Sequence, residues 1–273
     1  VITSNQPGTL YISNCPVEKN PFIGIKKKLK DLKQANNEIS KWNSEIHVSN
    51  ASAQNSHLKD NSVDYIFTDP PFGENIQYSE VNFLSEAWLN KFTKNKDETI
   101  ISRHQKKDLQ RYEQLLKSAF LENFRILKSG KFMTVIFHNT KKDVWNSLQN
   151  AITSSGFEII TSSILDKHQS SFKQATTMGA VKKDIVLLAQ KPERILNKIG
   201  KNVDIEKFLI TSLSKNCNDK ERTFDYLFAR YIGRCFESNQ EIKSNSKDFK
   251  KILSKIANLD NNSWFRSEER RVG

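Results

Sequence analysis

The sequence has few of the residues that staple small folds or bind metals. Its three cysteines, Cys15, Cys217 and Cys235, form no Cys-x-x-Cys pair and no even framework. That excludes a disulfide scaffold and a zinc ribbon, and fits a reducing cytoplasm. Five histidines are scattered without metal-ligand spacing, so no metal is expected. No apolar run approaches the ~20 residues of a membrane span, and no secretory signal is visible. These absences point to a soluble cytoplasmic protein with no membrane partner. Acidic residues are also in the minority: 31 Asp and Glu face 43 Lys and Arg, a formal net charge of +12 over 273 residues. Such a surplus suits a polyanionic partner. Lysine outnumbers arginine 33 to 10 beside 26 asparagines, so an A·T-rich coding sequence is a second source of the basicity. The length allows one large domain, or one domain with an appendage.

Both ends read as artificial. The first residue is Val1, and the last eight, Arg266 to Gly273, resemble a translated sequencing adapter. Residues 266–273 are set apart from the fold as a scar. The native chain is expected to begin before Val1 and to continue past Phe265.

Residues 1–20 read as an extended or looped entry. Over Ile23–Ile39 the apolar positions Ile25, Leu29, Leu32 and Ala35 are spaced 4, 3 and 3 apart, which predicts an amphipathic helix with a lysine face. That face is either solvated or tracks phosphates. Two strand-like pieces follow, Glu45–Val48 and Ser62–Phe67. Helices are predicted near Glu80–Asn90 and from about Gln105 to Leu127, the second stopped by Ser129-Gly130. The continuous apolar run Lys131–Phe137 predicts a buried strand. Asp143–Ser154 predicts a helix closed by Gly156, and Phe157–Leu165 and Asp184–Ala189 predict strands. Strands alternating with helices imply a mostly parallel α/β sheet. The last two strands are joined by the polar loop Asp166–Lys183 and read as an antiparallel edge pair. Beyond Pro192 come three helical segments without clear strands, Asp204–Lys215, Glu221–Glu237 and Ser246–Leu259. A boundary near 192–203 therefore divides a catalytic domain, 1–192, from a helical appendage, 193–265.

Chemistry concentrates in Asp69-Pro70-Pro71-Phe72, directly after a predicted strand. Two prolines would terminate a ladder by themselves, but that leaves the preceding acid, the following aromatic and the flexible Gly73 unexplained. An exocyclic amine on adenine, cytosine or guanine is a poor nucleophile, because its lone pair is delocalised into the ring. A carboxylate and a backbone carbonyl can each accept one N–H and steer the nitrogen toward a tetrahedral lone pair. Proline removes a competing donor and fixes φ. The aromatic can stack on a base that has left its helix, and methyl transfer then gains from orientation and electrostatics.

On these residues the chain resembles the S-adenosylmethionine-dependent DNA amino-methyltransferases that modify adenine N6 or cytosine N4. The likeness rests on the run Asn61–Glu80, on Asn82-Phe-Leu with Glu86-Ala-Trp-Leu89, on the turn Arg125–Lys131, and on Ser171-Phe-Lys-Gln174. It covers roughly residues 8–192. The resemblance implies a Rossmann-like methyltransferase sheet with its site at the carboxyl ends of the parallel strands. It implies S-adenosylmethionine as cofactor, double-stranded DNA with a flipped target base as partner, and a possible nuclease companion in a restriction-modification system. It makes Asp69, Pro70, Pro71 and Phe72 the catalytic loop, with Asp69 also touching the cofactor. Ser52 and Ala53 fall where such enzymes meet the cofactor's adenine, although the acid common there is missing. Asn75, Tyr78 and Lys173 would face the substrate, with Phe72.

One departure stands out. The nine glycines include no Gly-x-Gly pair, so the glycine-rich loop that lets backbone approach this cofactor is not in the sequence. The expectation is a missing upstream part, or a permuted order with the loop downstream. Two other readings stay open: an RNA guanine-N2 methyltransferase, which uses a similar loop, and a catalytically silent nucleic-acid-binding subunit of the same fold. His138-Asn139 ends a predicted strand at the same sheet edge as Asp69. Arg222, Arg230 and Arg234, interleaved with Tyr226 and Phe228, belong either to a packed helix or to a DNA-contacting face.

Overall fold

The computed structural model describes residues 20–42, 45–74, 76–165, 183–193, 203–214 and 218–266. The chain divides into two compact units, Val1–Ala51 with Glu80–Phe92, and Ser52–Ser79 with Thr93–Gly273.

In the smaller unit, helix α1 spans Pro21–Ile39. The Asn20 side chain accepts from the N–H groups of Phe22 and Ile23, and Pro21 stands in the first turn, where no donor is needed. No residue of α1 is buried, so its lysine face and its apolar face, Ile25, Leu29 and Leu32, are both exposed. The strand expected at Glu45–Val48 is irregular, exposed chain. Strand propensity needs a ladder partner, and these residues have none among the described residues. Helix α2, Tyr78–Leu89, begins in the larger unit and continues in the smaller.

The larger unit is built on a four-stranded sheet of β1 (Val63–Thr68), β2 (Leu127–Phe137), β3 (Glu158–Leu165) and β4 (Asp184–Gln190), in the order β1-β2-β4-β3. β1 and β2 are parallel, and β4 runs antiparallel to both of its neighbours. Three strands therefore point one way, and β4 with β3 makes the expected antiparallel edge pair. The apolar run of β2 puts Met133, Val135 and Phe137 in the core. Helix α3, Leu109–Ile126, presents Tyr112, Leu115, Leu116 and Phe120 along one buried stripe. Helix α4, Lys142–Thr153, adds Val144, Trp145, Leu148 and Ile152, and packs against α3.

Both ends of α3 differ from expectation. Residues 102–107 form a tight turn in which Ser102 and Lys107 exchange two backbone hydrogen bonds of 2.9 Å, and Asp108 then caps the helix by accepting from the Arg111 N–H. At the other end the chain enters β2 at Leu127 with no glycine stop. Lys191 replaces one, its Nζ donating to the carbonyls of Phe124 at 2.7 Å and Leu127 at 2.8 Å. A lysine satisfies terminal helix carbonyls and complements the helix dipole at once. Gly130 lies inside β2 with φ +74°, where β1 and β2 shift register.

Three C-terminal helices, α5 (Ile205–Ser214), α6 (Phe224–Glu237) and α7 (Ser246–Ile256), precede a hairpin, β5 (Ala257–Asp260) and β6 (Ser263–Arg266). The hairpin corrects the all-helical reading of this region. Asn261 and Asn262 both adopt positive φ, the conformation of a two-residue hairpin turn. Leu259 therefore lies in a strand rather than ending a helix. Arg266 pairs with Ala257, and residues 267–273 lie outside the described residues. α6 packs on β3 and its buried face joins one hydrophobic cluster with β2, α3 and α4. Phe228 is in that cluster, Arg222 stacks over the Phe265 ring at 4.9 Å, and Arg234 pairs with Glu237 at 3.3 Å. Arg222 thus precedes α6 and does not lie on it, while Arg234 stays exposed on the helix. Burial pushes the Cys235 thiol up to about 11, which suits a packing residue rather than a nucleophile.

Glu122 ties the chain leading into β1 to α3. Its carboxylate accepts from Arg125 Nη2 and Nε at 2.7 and 2.8 Å, and from the Ser56 N–H and hydroxyl at 2.8 and 2.7 Å. The Arg125 hydrogen bonds are the main reason its pKa is lowered to about 2. A lowered folded-state pKa contributes stability that is full above the unfolded value, about 4.3, and is lost as pH falls toward the folded one. Glu122→Gln is thus expected to unfold at a lower temperature than wild type near pH 6. The gap should close as pH falls from about 4.3 to 2. Thermal melts across that range check it, and a pH-independent gap would contradict the assignment.

Candidate functional site

Two loops leave the sheet at the carboxyl ends of the parallel strands: Asp69–Phe72 after β1, and His138-Asn139 after β2. This is the edge where open α/β sheets gather ligands. Asp69 is exposed while Pro70 is buried, so the acid faces solvent from a rigid base. Three consecutive carbonyls of the loop are gripped from three directions. The Tyr112 hydroxyl on α3 donates to the Pro71 carbonyl at 2.5 Å, Asn139 Nδ2 donates to the Phe72 carbonyl at 3.0 Å, and the Ile101 N–H donates to the Gly73 carbonyl at 3.3 Å. Asn139 is itself fixed, its Oδ1 accepting from the Lys141 N–H at 2.8 Å and its carbonyl from Trp145 Nε1 at 3.0 Å.

Gly73 closes the loop with φ +80°, and a Cβ there would meet Ile101 Cδ1 at 3.4 Å and Val144 Cγ1 at 3.5 Å. The left-handed conformation, more than the space, calls for glycine. The Phe72 ring is half-buried and meets Phe137 edge-on at a centroid distance of 5.1 Å, with His138 at 6.4 Å. The ring leans on the core with part of its surface left exposed.

Tyr78, at the start of α2, is raised above the ordinary phenol range, first by burial and then by the negative charge of Asp69. The fold thus brings Tyr78 within electrostatic reach of Asp69. A polar cluster anchors this end of α2. Glu98 accepts from the Ser79 N–H at 2.9 Å and from Gln105 Nε2 at 2.6 Å, and Lys107 Nζ donates to the Glu98 carbonyl at 2.5 Å. Burial opposes the Glu98 charge, but the Gln105 and Ser79 hydrogen bonds and the Lys107 charge outweigh it and hold the carboxyl below its usual range.

Ser52 and Ala53 lie in an exposed turn bridged from Ser52 to Asn55. Gln54 Nε2 reaches the Asp97 carbonyl at 3.5 Å, one residue before Glu98. Asn75, Lys173 and the loop over 166–182 lie outside the described residues. His138 Nδ1 stands 3.1 Å from the Lys183 carbonyl and 3.5 Å from Asp184 Oδ1, the satisfied loop-histidine arrangement. Among the described residues no cluster could hold a metal ion, and no helix is long and apolar enough to cross a membrane.

Sequence reasoning passed over Tyr112, Ile101 and Glu98, and assigned Asn139 no role. Tyr112 reads as one more apolar position of α3. Its hydroxyl gains meaning only when α3 is laid beside the loop.

Residues 14–130 match the model of the UPF0020 family, described as RMKL-like, methyltransferase domain. The matched stretch contains β1, the Asp69–Phe72 loop, α2 and α3. No curated protein matches the chain. Among solved structures, a Thermus thermophilus protein provisionally designated a DNA modification methylase is 14% identical with a TM-score of 0.32, over 60% of this chain and 63% of that one. The chain thus spans less than two thirds of that relative. A SAM-dependent methyltransferase from Methanosarcina mazei is 13% identical with a TM-score of 0.30, over 53% and 66%. The cytosine-N4-specific PvuII DNA methyltransferase is 11% identical with a TM-score of 0.33, over 73% and 86%. Likenesses this slight carry no functional argument, which rests on the loop itself and on the methyltransferase-domain match.

Proposed function

We propose that the protein transfers a methyl group from S-adenosylmethionine to an exocyclic amino nitrogen of a nucleic-acid base, adenine or cytosine in double-stranded DNA with the target base flipped out. The observation that carries this reading is the Asp69-Pro70-Pro71-Phe72 loop, exposed at its acid and clamped at its carbonyls, at the carboxyl edge of the parallel strands, within a stretch that matches a methyltransferase domain.

The residues divide the task. The Asp69 carboxylate accepts one N–H of the amine and the Pro70 carbonyl accepts the other, drawing the nitrogen lone pair out of the ring. Phe72 and Tyr78 flank the base, and Asn75 and Lys173 are the remaining substrate candidates. S-adenosylmethionine would supply an electrophilic methyl group, its C–S bond breaking as the N–C bond forms, and the Asp69 carboxylate would then take the surplus proton of the methylated amine and pass it to solvent. The fit is built on the acceptor side. On the donor side this sequence offers Asp69 and the exposed Ser52-Ala53 turn but no Gly-x-Gly cradle, so no step is assigned to residues around the cofactor. The +12 charge supports a polyanionic substrate.

The test offers the protein labelled S-adenosylmethionine with unmethylated DNA and bulk RNA in parallel, and identifies modified nucleosides by mass. N6-methyladenine or N4-methylcytosine in DNA is the expected result. N2-methylguanine in RNA would move the activity to RNA with the same loop chemistry. No transfer from a folded protein that binds DNA would overturn the reading in favour of a silent binding subunit.

A further inference from the structure

The buried polar groups around the loop are not spread evenly. Tyr112 is fully buried, yet its hydroxyl is directed away from the hydrophobic cluster around it and onto the Pro71 carbonyl at 2.5 Å. A buried hydroxyl is costly unless it is paired, so the core accepts a polar group here in order to hold the loop.

The grip has a directional consequence. Asp69 and Pro70 each precede a proline, which pushes both toward extended backbone. With the Pro71 carbonyl held by α3, the peptide next to it, which carries the Pro70 carbonyl, loses rotational freedom. Asn139 fixes the next carbonyl, that of Phe72, at 3.0 Å, which stops the loop from rotating as a unit.

We infer that Tyr112 is a positioning residue for the methyl-transfer loop: by holding the Pro71 carbonyl it aims the Pro70 carbonyl and the Asp69 carboxylate at the same amine. The inference rests on the proposed function. Burial raises the Tyr112 hydroxyl above the ordinary phenol range, so it remains a donor throughout the working pH range.

The test compares wild type, Tyr112→Phe and Tyr231→Phe in the full chain. Tyr231 is a matched control, fully buried, with its hydroxyl accepting from the N–H of Lys243, a residue outside the Asp69–Gly73 loop. Both variants lose one buried hydroxyl and are expected to melt at similarly reduced temperatures. Tyr112→Phe should also lower kcat, normalised to titrated active sites, by roughly 10- to 100-fold, the scale of a small misalignment of reacting groups. KM for DNA and for the donor should stay within about twofold, because binding surfaces are untouched. Tyr231→Phe should keep the wild-type kcat per site. Amide hydrogen exchange at Phe72 and Gly73 should accelerate in Tyr112→Phe and not in Tyr231→Phe.

The outcomes separate cleanly. Active wild type with an unchanged Tyr112→Phe kcat overturns the positioning role alone, as does equal loss in both variants. Unchanged loop exchange overturns the clamp whether or not methyl transfer is seen. Wild type that folds and transfers nothing removes the functional reading, and the positioning role falls with it.

Discussion

Asp69→Ala is expected to lower methyl transfer at least ~100-fold while the protein still folds. Losing a group that accepts a proton or hydrogen bond in the transition state costs about 10²- to 10⁴-fold in rate. The stability cost should be small, because Asp69 is exposed and the loop is held by other residues: Tyr112, Asn139 and Ile101 grip the carbonyls of Pro71, Phe72 and Gly73. Asp69→Asn makes a graded comparison, since an amide oxygen still accepts one N–H but carries no charge. Its rate should fall between those of wild type and Asp69→Ala. A second readout does not depend on activity. The Asp69 charge contributes to raising Tyr78, after burial, so Asp69→Ala should bring the Tyr78 phenol part of the way back toward its ordinary range. Ultraviolet titration of the tyrosines would detect that shift. Retained transfer in Asp69→Ala would remove the residue from the mechanism.

The second large effect concerns stability, where α6 meets the sheet. Gly233 lies on the buried face of α6 against β3, and a Cβ built there would stand 2.2 Å from Ser162 Oγ and 3.0 Å from Ser162 Cβ. Rotating the hydroxyl away relieves only the first contact. It also breaks the bond from Ser162 Oγ to Glu237 Oε1 at 2.8 Å, leaving that carboxylate only the Ser162 N–H on β3, at 2.9 Å. Gly233→Ala therefore pushes α6 off β3 or strains both. Overpacking of this kind costs about 1–3 kcal/mol, and in a unit of this size about 2–12 °C in melting temperature. A helix-interior glycine replaced by alanine ordinarily gains roughly 0.5–1 kcal/mol from propensity, so a net loss would identify the contact as decisive. Ser162→Gly removes both clashing atoms. In its background, Gly233→Ala should be neutral or stabilising, and calorimetry on the four proteins of the cycle measures the coupling. If Gly233→Ala stabilises with Ser162 intact, the close approach is not what holds α6 to β3.

Much of the fold was readable because it depends on local pattern. The apolar run of β2 indicated its burial, the segment Asp143–Ser154 ahead of Gly156 indicated α4, and the polar connection between β3 and β4 indicated an antiparallel pair. The misreadings have separate causes. Glu45–Val48 has the composition of a strand and no ladder to join among the described residues. Ser129-Gly130 looks like a helix stop, but Lys191, more than 60 residues later, takes the carbonyls of the α3 terminus. The β5–β6 hairpin was hidden in a helical-looking segment until Asn261 and Asn262 turned it back.

The candidate site divides in the same way. Asp69-Pro70-Pro71-Phe72 and Gly73 are legible from the residues alone, because proline geometry and the left-handed turn are local properties of that stretch. What holds the loop is settled by packing. Tyr112, Asn139 and Ile101 reach it from 28 to 67 residues away, and Tyr78 meets the field of Asp69 only through the turn into α2. A hydroxyl on a helix or an amide at a strand end has no sequence signature, since its partner is chosen by how helix and sheet pack.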